Sequence, residues 1–307
     1  MLRLKKKTVG SYTFESLYYD DDGVHVTLHG PLTLTVRDGA GTSIYTTPPT
    51  LHAGHADSII PFATLEKLDT YTFTYTGFLD NQQTQPVSWT DVVEIVGGYL
   101  FEIAELRAFD RAFLDTAKYP TSLLRDVRTS VENVIEGDTA ARVAFVPRGR
   151  RVTLSGNSPD LNRGYYPLYY GNDYRELTVP NYEVRSLYSG SLNGVAFTQT
   201  ELDDIIPNDN TLFRSSGVAF PAWSFGKNNI KLHYVHGYDR PAGAITRAAL
   251  ILAREFLVKS DLPARASATS IGDQLFRITI AGRDGITGIP DVDAAIAQFG
   301  RASSSIG

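Results

Sequence analysis

Leu68-Asp69-Thr70-Tyr71-Thr72-Phe73-Thr74-Tyr75-Thr76 alternates residue by residue from its fourth position. Tyr71, Phe73 and Tyr75 share one face, and the four threonines share the other. A period of two marks a strand with one buried and one wet face. Working outward, Val24, Val26 and Leu28 alternate with His25, Thr27 and His29. Leu32, Leu34 and Val36 alternate in the same way with Thr33, Thr35 and Arg37, and Asp38-Gly39 marks the turn after them. Val87, Trp89, Val93 and Ile95 supply a last strand. Turn-separated strands with no helix between them predict a small β-sandwich over residues 1–97.

The pattern changes at Gly97-Gly98. Leu100, Ile103, Ala104 and Leu106 suit a helical turn or two within 98–115. A better-signed helix covers 120–137, with Pro120 opening it and Gly137 stopping it. Leu124, Val127, Val131, Val134 and Ile135 form its apolar face, and Arg125, Arg128, Glu132 and Glu136 take the other. From 142 to 238 the chain returns to strands, at 143–146, 151–154, 176–179, 182–187 and 229–236. A loop is expected around Pro207-Asn208-Asp209-Asn210. A helix over 241–259 then carries Ile245, Ala248, Ala249, Leu252 and Phe256 on one stripe. Leu250, Ile251, Leu257 and Val258 lie off it, so this helix needs partners on several sides, inside the chain or between subunits. Residues 263–307 hold two strand pieces, 269–271 and 275–280, and a short helix from Ile289-Pro290 to Phe299. The expected fold class is α+β, with an all-β start, a helical body over 98–262 interrupted by the β insertion at 142–238, and a C-terminal arm.

The chain has 307 residues, 42% apolar and 21% charged, enough to bury a core. Its formal charge of −5 argues against gripping DNA through phosphates. It has no Cys, which excludes disulfides, thiolate zinc sites and a Cys nucleophile. No apolar stretch of signal-peptide length follows Lys7, and the run near 248–253 falls far short of the ~20 residues of a membrane helix. The expectation is a protein made and kept in a reducing cytoplasm, or in an assembly built there.

The residues show no assembled chemistry. His52 and His55 have metal-ligand spacing with Asp57 nearby, and solvated loop histidines are the simpler reading. His233 and His236 share that spacing, but in a strand they point to opposite faces. His25 and His29 would stand about 13 Å apart along a strand, too far to share an ion. Asp20-Asp21-Asp22-Gly23 lacks the earlier acid of a calcium loop, since position 18 is Tyr18, and reads as an acidic turn. No nucleophile elbow, Walker loop or dinucleotide fingerprint occurs. Glu102 with Glu105 and Asp203 with Asp204 are ordinary acidic neighbours. Tyr165, Tyr166, Tyr169 and Tyr170, in a Gly/Asn/Asp-rich loop, suit either packing or an interface.

Two resemblances follow from particular residues. Leu68-Asp69-Thr70-Tyr71 is similar to the corner at which immunoglobulin-like sandwiches enter their sixth strand. From Gly97 onward the order of pieces carries the second resemblance. It runs from the helix at 120–137 and the pair Pro147-Arg148, through a β insertion ending Tyr234-Val235-His236-Gly237, to the Ala/Leu-rich helix from Pro241. Arg265-Ala266-Ser267-Ala268-Thr269-Ser270 and Gly288-Ile289-Pro290-Asp291-Val292-Asp293 follow. This order resembles the head-to-tail connector (adaptor, or head-completion) proteins of tailed bacteriophages, over roughly two thirds of the chain, with an added N-terminal immunoglobulin-like domain.

The resemblance implies a structural virion protein at the head–tail interface, assembled in the host cytoplasm, with no catalytic residue, metal or cofactor. Implied partners are further copies in a ring, commonly of twelve, the portal protein, and tail-side head-completion or tail-terminator proteins. Double-stranded DNA would pass through the lumen without specific binding, and no membrane is involved. Carried over, Ile245, Ala249, Leu252 and Phe256 belong to the ring's packing helix. Arg265, Ile271, Phe276, Ile289 and Pro290 belong to the portal-facing arm. An acidic wall that repels DNA suits a conduit. Two other classes remain beside this one: a glycan- or protein-binding module of the adhesin or baseplate type, and a hydrolase whose site assembles from distant residues.

Overall fold

The computed structural model describes residues 2–52, 55–137, 140–156, 176–214, 223, 226–258, 268–271, 274–277 and 286–300. The chain is α+β, with sheet predominating. It begins with β1 (Leu2–Lys5), β2 (Ser11–Ser16), β3 (His29–Arg37), β4 (Ser43–Thr47), β5 (Thr50–His52), β6 (His55–Pro61), β7 (Thr70–Phe78) and β8 (Pro86–Val96). Helices α1 (Ile103–Phe109) and α2 (Thr121–Glu136) follow. Next come β9 (Arg148–Gly156), β10 (Glu176–Thr178), β11 (Val184–Leu192), β12 (Val195–Ala196), the short helix α3 (Gln199–Asp203), β13 (Ile205–Asn208), β14 (Thr211–Arg214) and β15 (Gly226–His236). Helix α4 (Gly243–Leu257), the hairpin β16 (Ala268–Ile271) and β17 (Gln274–Arg277), and α5 (Pro290–Phe299) complete the order.

Contacts divide the chain into two compact units, each discontinuous in sequence. The first comprises Met1–Gly97, Arg148–Val179 and Val184–His236, and the second Gly98–Pro147, Pro180–Glu183 and Gly237–Gly307. The sequence division at 97, 262 and 263 keeps the β insertion apart from residues 1–97. The contacts group that insertion with them, for reasons centred on Leu68 and Asp69.

In the first unit, β1-β8-β7-β3-β4 form one sheet and β2-β6-β5 a second. The alternation of β7 is realised in full: Tyr71, Phe73 and Tyr75 are buried with Leu34, Val36, Phe14 and Ile60. The Tyr71 hydroxyl donates back to the Lys67 carbonyl at 3.0 Å, so the chain enters β7 through a pinned corner. Residues 24–28 do not form the expected strand. The Asp20 carboxylate accepts from the Asp22 and Val24 amides (3.1 and 2.8 Å), and Tyr19 makes a lone bridge with His25. The acidic segment closes a turn on its own backbone, which leaves Val24 exposed, and regular pairing starts at His29.

The remaining strands make the sheets β12-β11-β15-β9 and β10-β14-β13, with a core of Leu177, Leu212, Ile230, Leu232 and Tyr234. Buried Arg214 lies over the rings of Phe197 and Trp223, at 5.0 and 4.4 Å. The loop expected at 207–210 is present as the tight turn Asp209-Asn210 at the tip of the β13–β14 hairpin, with Asp209 at φ +54°, while Pro207 and Asn208 belong to β13. Val235 reaches the core of the first two sheets. Gly149 of β9 lies so close to Leu68 that a Cβ would stand 1.6 Å from its carbonyl oxygen. Only glycine permits that approach.

The second unit packs α1, α2, α4 and α5 around Leu106, Leu124, Val131, Ile135, Ile245, Leu252 and Ile296. Two residues assigned to the wet face of α2 are buried. Glu132 accepts from the Leu100 amide at 2.9 Å, and the Arg128 guanidinium lies 3.2 Å from the centre of the Tyr99 ring. Both hold the segment before α1, and pairing is what makes their burial tolerable. Burial pulls the Arg128 guanidinium pKa down, with Glu132 and Glu102 opposing the shift. Residues 143–146 are buried without forming the expected strand. Their backbone is satisfied instead by Glu136, which accepts from Phe145 N (2.8 Å), and by Tyr238 N, which donates to Ala144 O (3.0 Å). Asp293 accepts from Thr287 and Gly288 amides (2.8 and 3.2 Å), and Pro290 opens α5 as read from the sequence.

Two substitutions check the corner. Gly149→Ala is expected to cost at least about 2 kcal/mol by overpacking. Tyr71→Phe, which only removes the bond to Lys67, should cost about 1 kcal/mol. Urea denaturation midpoints measure both, and an unchanged midpoint for Gly149→Ala contradicts the close approach.

Candidate functional site

Alternation in β15 sorts its side chains into two sets. Ile230, Leu232, Tyr234 and His236 face the core shared with β10-β14-β13, while Lys231, His233 and Val235 face the other way. The separation of His233 from His236 is as the spacing predicts. Pairing then builds rows across the sheet. His233 lies between Arg151 of β9 and Ser189 of β11, and Lys231 lies between Thr153 and Ser191. Directly paired residues present their side chains on one face. The turn at Gly39 and Ala40 overhangs these rows and encloses a cleft of ≈ 470 Å³.

A charged clasp ties the turn to the sheet beside the cleft. Arg151 Nε and Nη2 donate to Asp69 Oδ2 at 2.8 and 2.7 Å, and Nη2 also donates to Asp38 Oδ2 at 3.0 Å. Asp69 is buried, and it also accepts from the Gly39 and Thr70 amides (3.3 and 2.9 Å). Gly39 is required there, since a Cβ would stand 2.5 Å from Asp69 Oδ1. His233 closes the floor, with Nε2 at 3.1 Å from the Leu68 carbonyl oxygen and its ring beside Tyr188. A carbonyl only accepts, so Nε2 carries the proton and Nδ1 is the bare nitrogen. Nδ1 is buried and has no hydrogen-bond partner among the described residues. Burial lowers the His233 pKa, opposed by Asp69, so the ring is neutral near pH 7.

On the opposite face, His236 sits against Tyr234 with its Nδ1 buried and likewise without a partner among the described residues. Burial, then the charges of Arg150 and Arg148, push its pKa down to about 4.

The other histidine pair is on the edge of the small sheet. His52 and His55 stack with ring centres 5.3 Å apart, and their Nε2 atoms lie 3.4 and 3.6 Å from Asp57 Oδ2. Among the described residues no group of three or more His, Asp or Glu is arranged to hold a metal ion. No helix among them is long and apolar enough to cross a membrane.

The expected contact residues are dispersed. Ile245, Ala249 and Leu252 are buried in the helical core, whereas Phe256, one turn further, is 48% exposed because Ala253 takes the inward position. Ile289 is half-buried against the same core and Pro290 is exposed. Ile271 and Phe276 belong to β16 and β17. Arg265, Tyr165, Tyr166, Tyr169 and Tyr170 lie outside the described residues. The cleft residues Arg151 and Lys231 were missed. Their signal, polar positions alternating with apolar ones, gives a wet face but not the strands beside it.

No protein-family model matches this sequence, and comparison with curated proteins finds no match.

The buried histidines make stability depend on pH. An unfolded His titrates near 6.5, so between that pH and about 4 the unfolded chain binds a proton that folded His236 refuses. The contribution is intact above pH 6.5 and is lost as pH falls toward 4, by up to about 3 kcal/mol. The urea midpoint of the His236→Phe variant should therefore fall less than that of the parent between pH 7 and pH 4.5. Parallel curves would contradict a buried neutral ring.

Proposed function

We propose that this chain is a structural virion protein whose copies form a ring joining the portal of a phage head to the tail and surrounding the DNA conduit. The observation that carries the reading is the order of elements after Gly97. Helices α1 and α2, a block of strands, the long helix α4, a β-hairpin and the short helix α5 follow one another as in the head-to-tail connectors that the sequence resembles. The N-terminal sheets support an added immunoglobulin-like domain. The orders β2-β6-β5 and β1-β8-β7-β3-β4, with β1 parallel to β8, match such a sandwich, and Tyr71 bonding back to Lys67 matches its corner.

Apolar surface on the second unit suits contact between copies. Phe109, Leu114, Phe256 and Val258 are exposed. The ion pair of Arg254 with Asp110, at 3.0 Å, ties the last turn of α4 to the end of α1, the two elements that carry Phe256 and Phe109. A ring would cover such residues. The N-terminal sheets support a second reading, a glycan- or protein-binding module of the adhesin or baseplate type. A chain that stays monomeric beside its portal and binds glycans would select that reading.

Removal of residues 264–307 tests the role of the arm. Pull-down with the cognate portal should lose docking while the β-sheet circular dichroism persists, and unchanged docking would refute the assignment. Phe256→Asp should change the unfolding free energy of the single chain by less than about 1 kcal/mol, read from urea denaturation. It should abolish ring particles seen by negative-stain microscopy with portal present.

A further inference from the structure

We infer that the cleft between the Gly39 turn and the β9-β15-β11 face is a binding site for a small oxyanion-bearing ligand, a phosphate or a carboxylate. This lies outside the ring reading, since nothing in ring assembly requires a cleft in the first unit.

The inference rests on which polar atoms are committed and which are open. The carboxylates are committed. Asp69 takes bonds from Arg151, Gly39 and Thr70, and Asp38 takes bonds from Arg151, Ala40 and Thr42. The donors are not. Arg151 gives Nε and Nη2 to the two carboxylates, and its Nη1 has no partner among the described residues. Lys231 is exposed, lines the cleft, and meets no carboxylate among the described residues. The hydroxyls of Thr153, Ser189 and Ser191 flank the two cations in the paired rows.

Two cations with open N–H donors and, among the described residues, no uncommitted carboxylate beside them favour a ligand that brings negative charge. Phosphate and carboxylate oxygens only accept, and charge-assisted bonds from Arg and Lys are the stronger kind. A neutral sugar can bond the Thr153, Ser189 and Ser191 hydroxyls, which accept as well as donate, but brings no charge to Arg151 and Lys231. The two carboxylates fix the guanidinium, so little side-chain freedom is lost on binding. Because Asp38 and Asp69 balance Arg151 and Lys231 in formal charge, attraction is local and the expected affinity is modest, about millimolar. The volume admits a group of about monosaccharide size.

The test is a ¹H–¹⁵N chemical-shift titration of the full chain with inorganic phosphate, glucuronate and glucose as separate probes. Saturable shifts at residues 151–153, 189–191 and 231–233 with phosphate or glucuronate, and none with glucose, support the site and tell the two oxyanion sources apart. Lys231→Gln should weaken that binding about ten-fold. Lys227→Gln, an equal charge change on the same strand outside the cleft, should leave it unchanged. Ser191→Glu, which supplies Lys231 with a carboxylate, should abolish it while the amide spectrum stays dispersed. Glucose shifts equal to those of the anions, equal losses from Lys231→Gln and Lys227→Gln, or no saturable shift with either anion would each overturn the inference.

Discussion

Three consecutive residues, Lys67, Leu68 and Asp69, hold the first unit together. The Lys67 carbonyl receives the Tyr71 hydroxyl, and the Leu68 carbonyl faces His233 and lies against Gly149. The Leu68 amide donates to the Tyr188 hydroxyl at 3.4 Å, and the Asp69 carboxylate grips Arg151. The Asp69 carbonyl accepts from Ile95 N at 2.9 Å. The corner that starts β7 is thus also the seat of β9, β11 and β15. A buried carboxylate without its cation would carry a large desolvation cost, so Asp69 and Arg151 constrain each other and everything that positions them. The cleft is a consequence of this constraint: Gly39 has to approach Asp69, and the turn it belongs to becomes the cleft's roof.

The second unit follows a different logic. Its core is helical and apolar, yet Arg128 and Glu132 enter it from α2 to satisfy the segment before α1. Here polar burial replaces a regular strand. Residues 98–102 and 143–146 form no regular strand, and side-chain carboxylates accept from Leu100 N and Phe145 N in place of sheet partners. The proposed ring would rest on this unit, while the clasp and cleft belong to the first.

Legibility in the sequence followed the range of the interactions. The strand at 70–76, the turn at 38–39, the helix at 120–137 and the α5 start at Pro290 rest on local periodicity, turn chemistry and capping, and all were readable. Residues 24–28 carried the right alternation but lost to the Asp20 turn, whose carboxylate competes for the same amides. Val143 to Val146 were apolar enough for a strand, but among the described residues no strand pairs with them. Arg128 and Glu132 obeyed the helical period and still faced inward, since the period does not know what lies beside the helix. The cleft was illegible for the same reason: Arg151, Ser189 and His233 are far apart in sequence and meet only through pairing.

The central claim is that the corner makes residues 1–97 and the strands β9 to β15 one cooperative body. The chain's two tryptophans allow a direct test, because Trp89 lies in β8 and Trp223 is buried in the core of β10 to β15. Trp89→Phe and Trp223→Phe each leave one reporter, and equilibrium urea unfolding is followed by its fluorescence. The account predicts that each variant's tryptophan curve coincides with its own far-ultraviolet β-sheet transition. A Trp223 signal lost at lower urea than the β8 signal, with a resolved plateau between them, would contradict it.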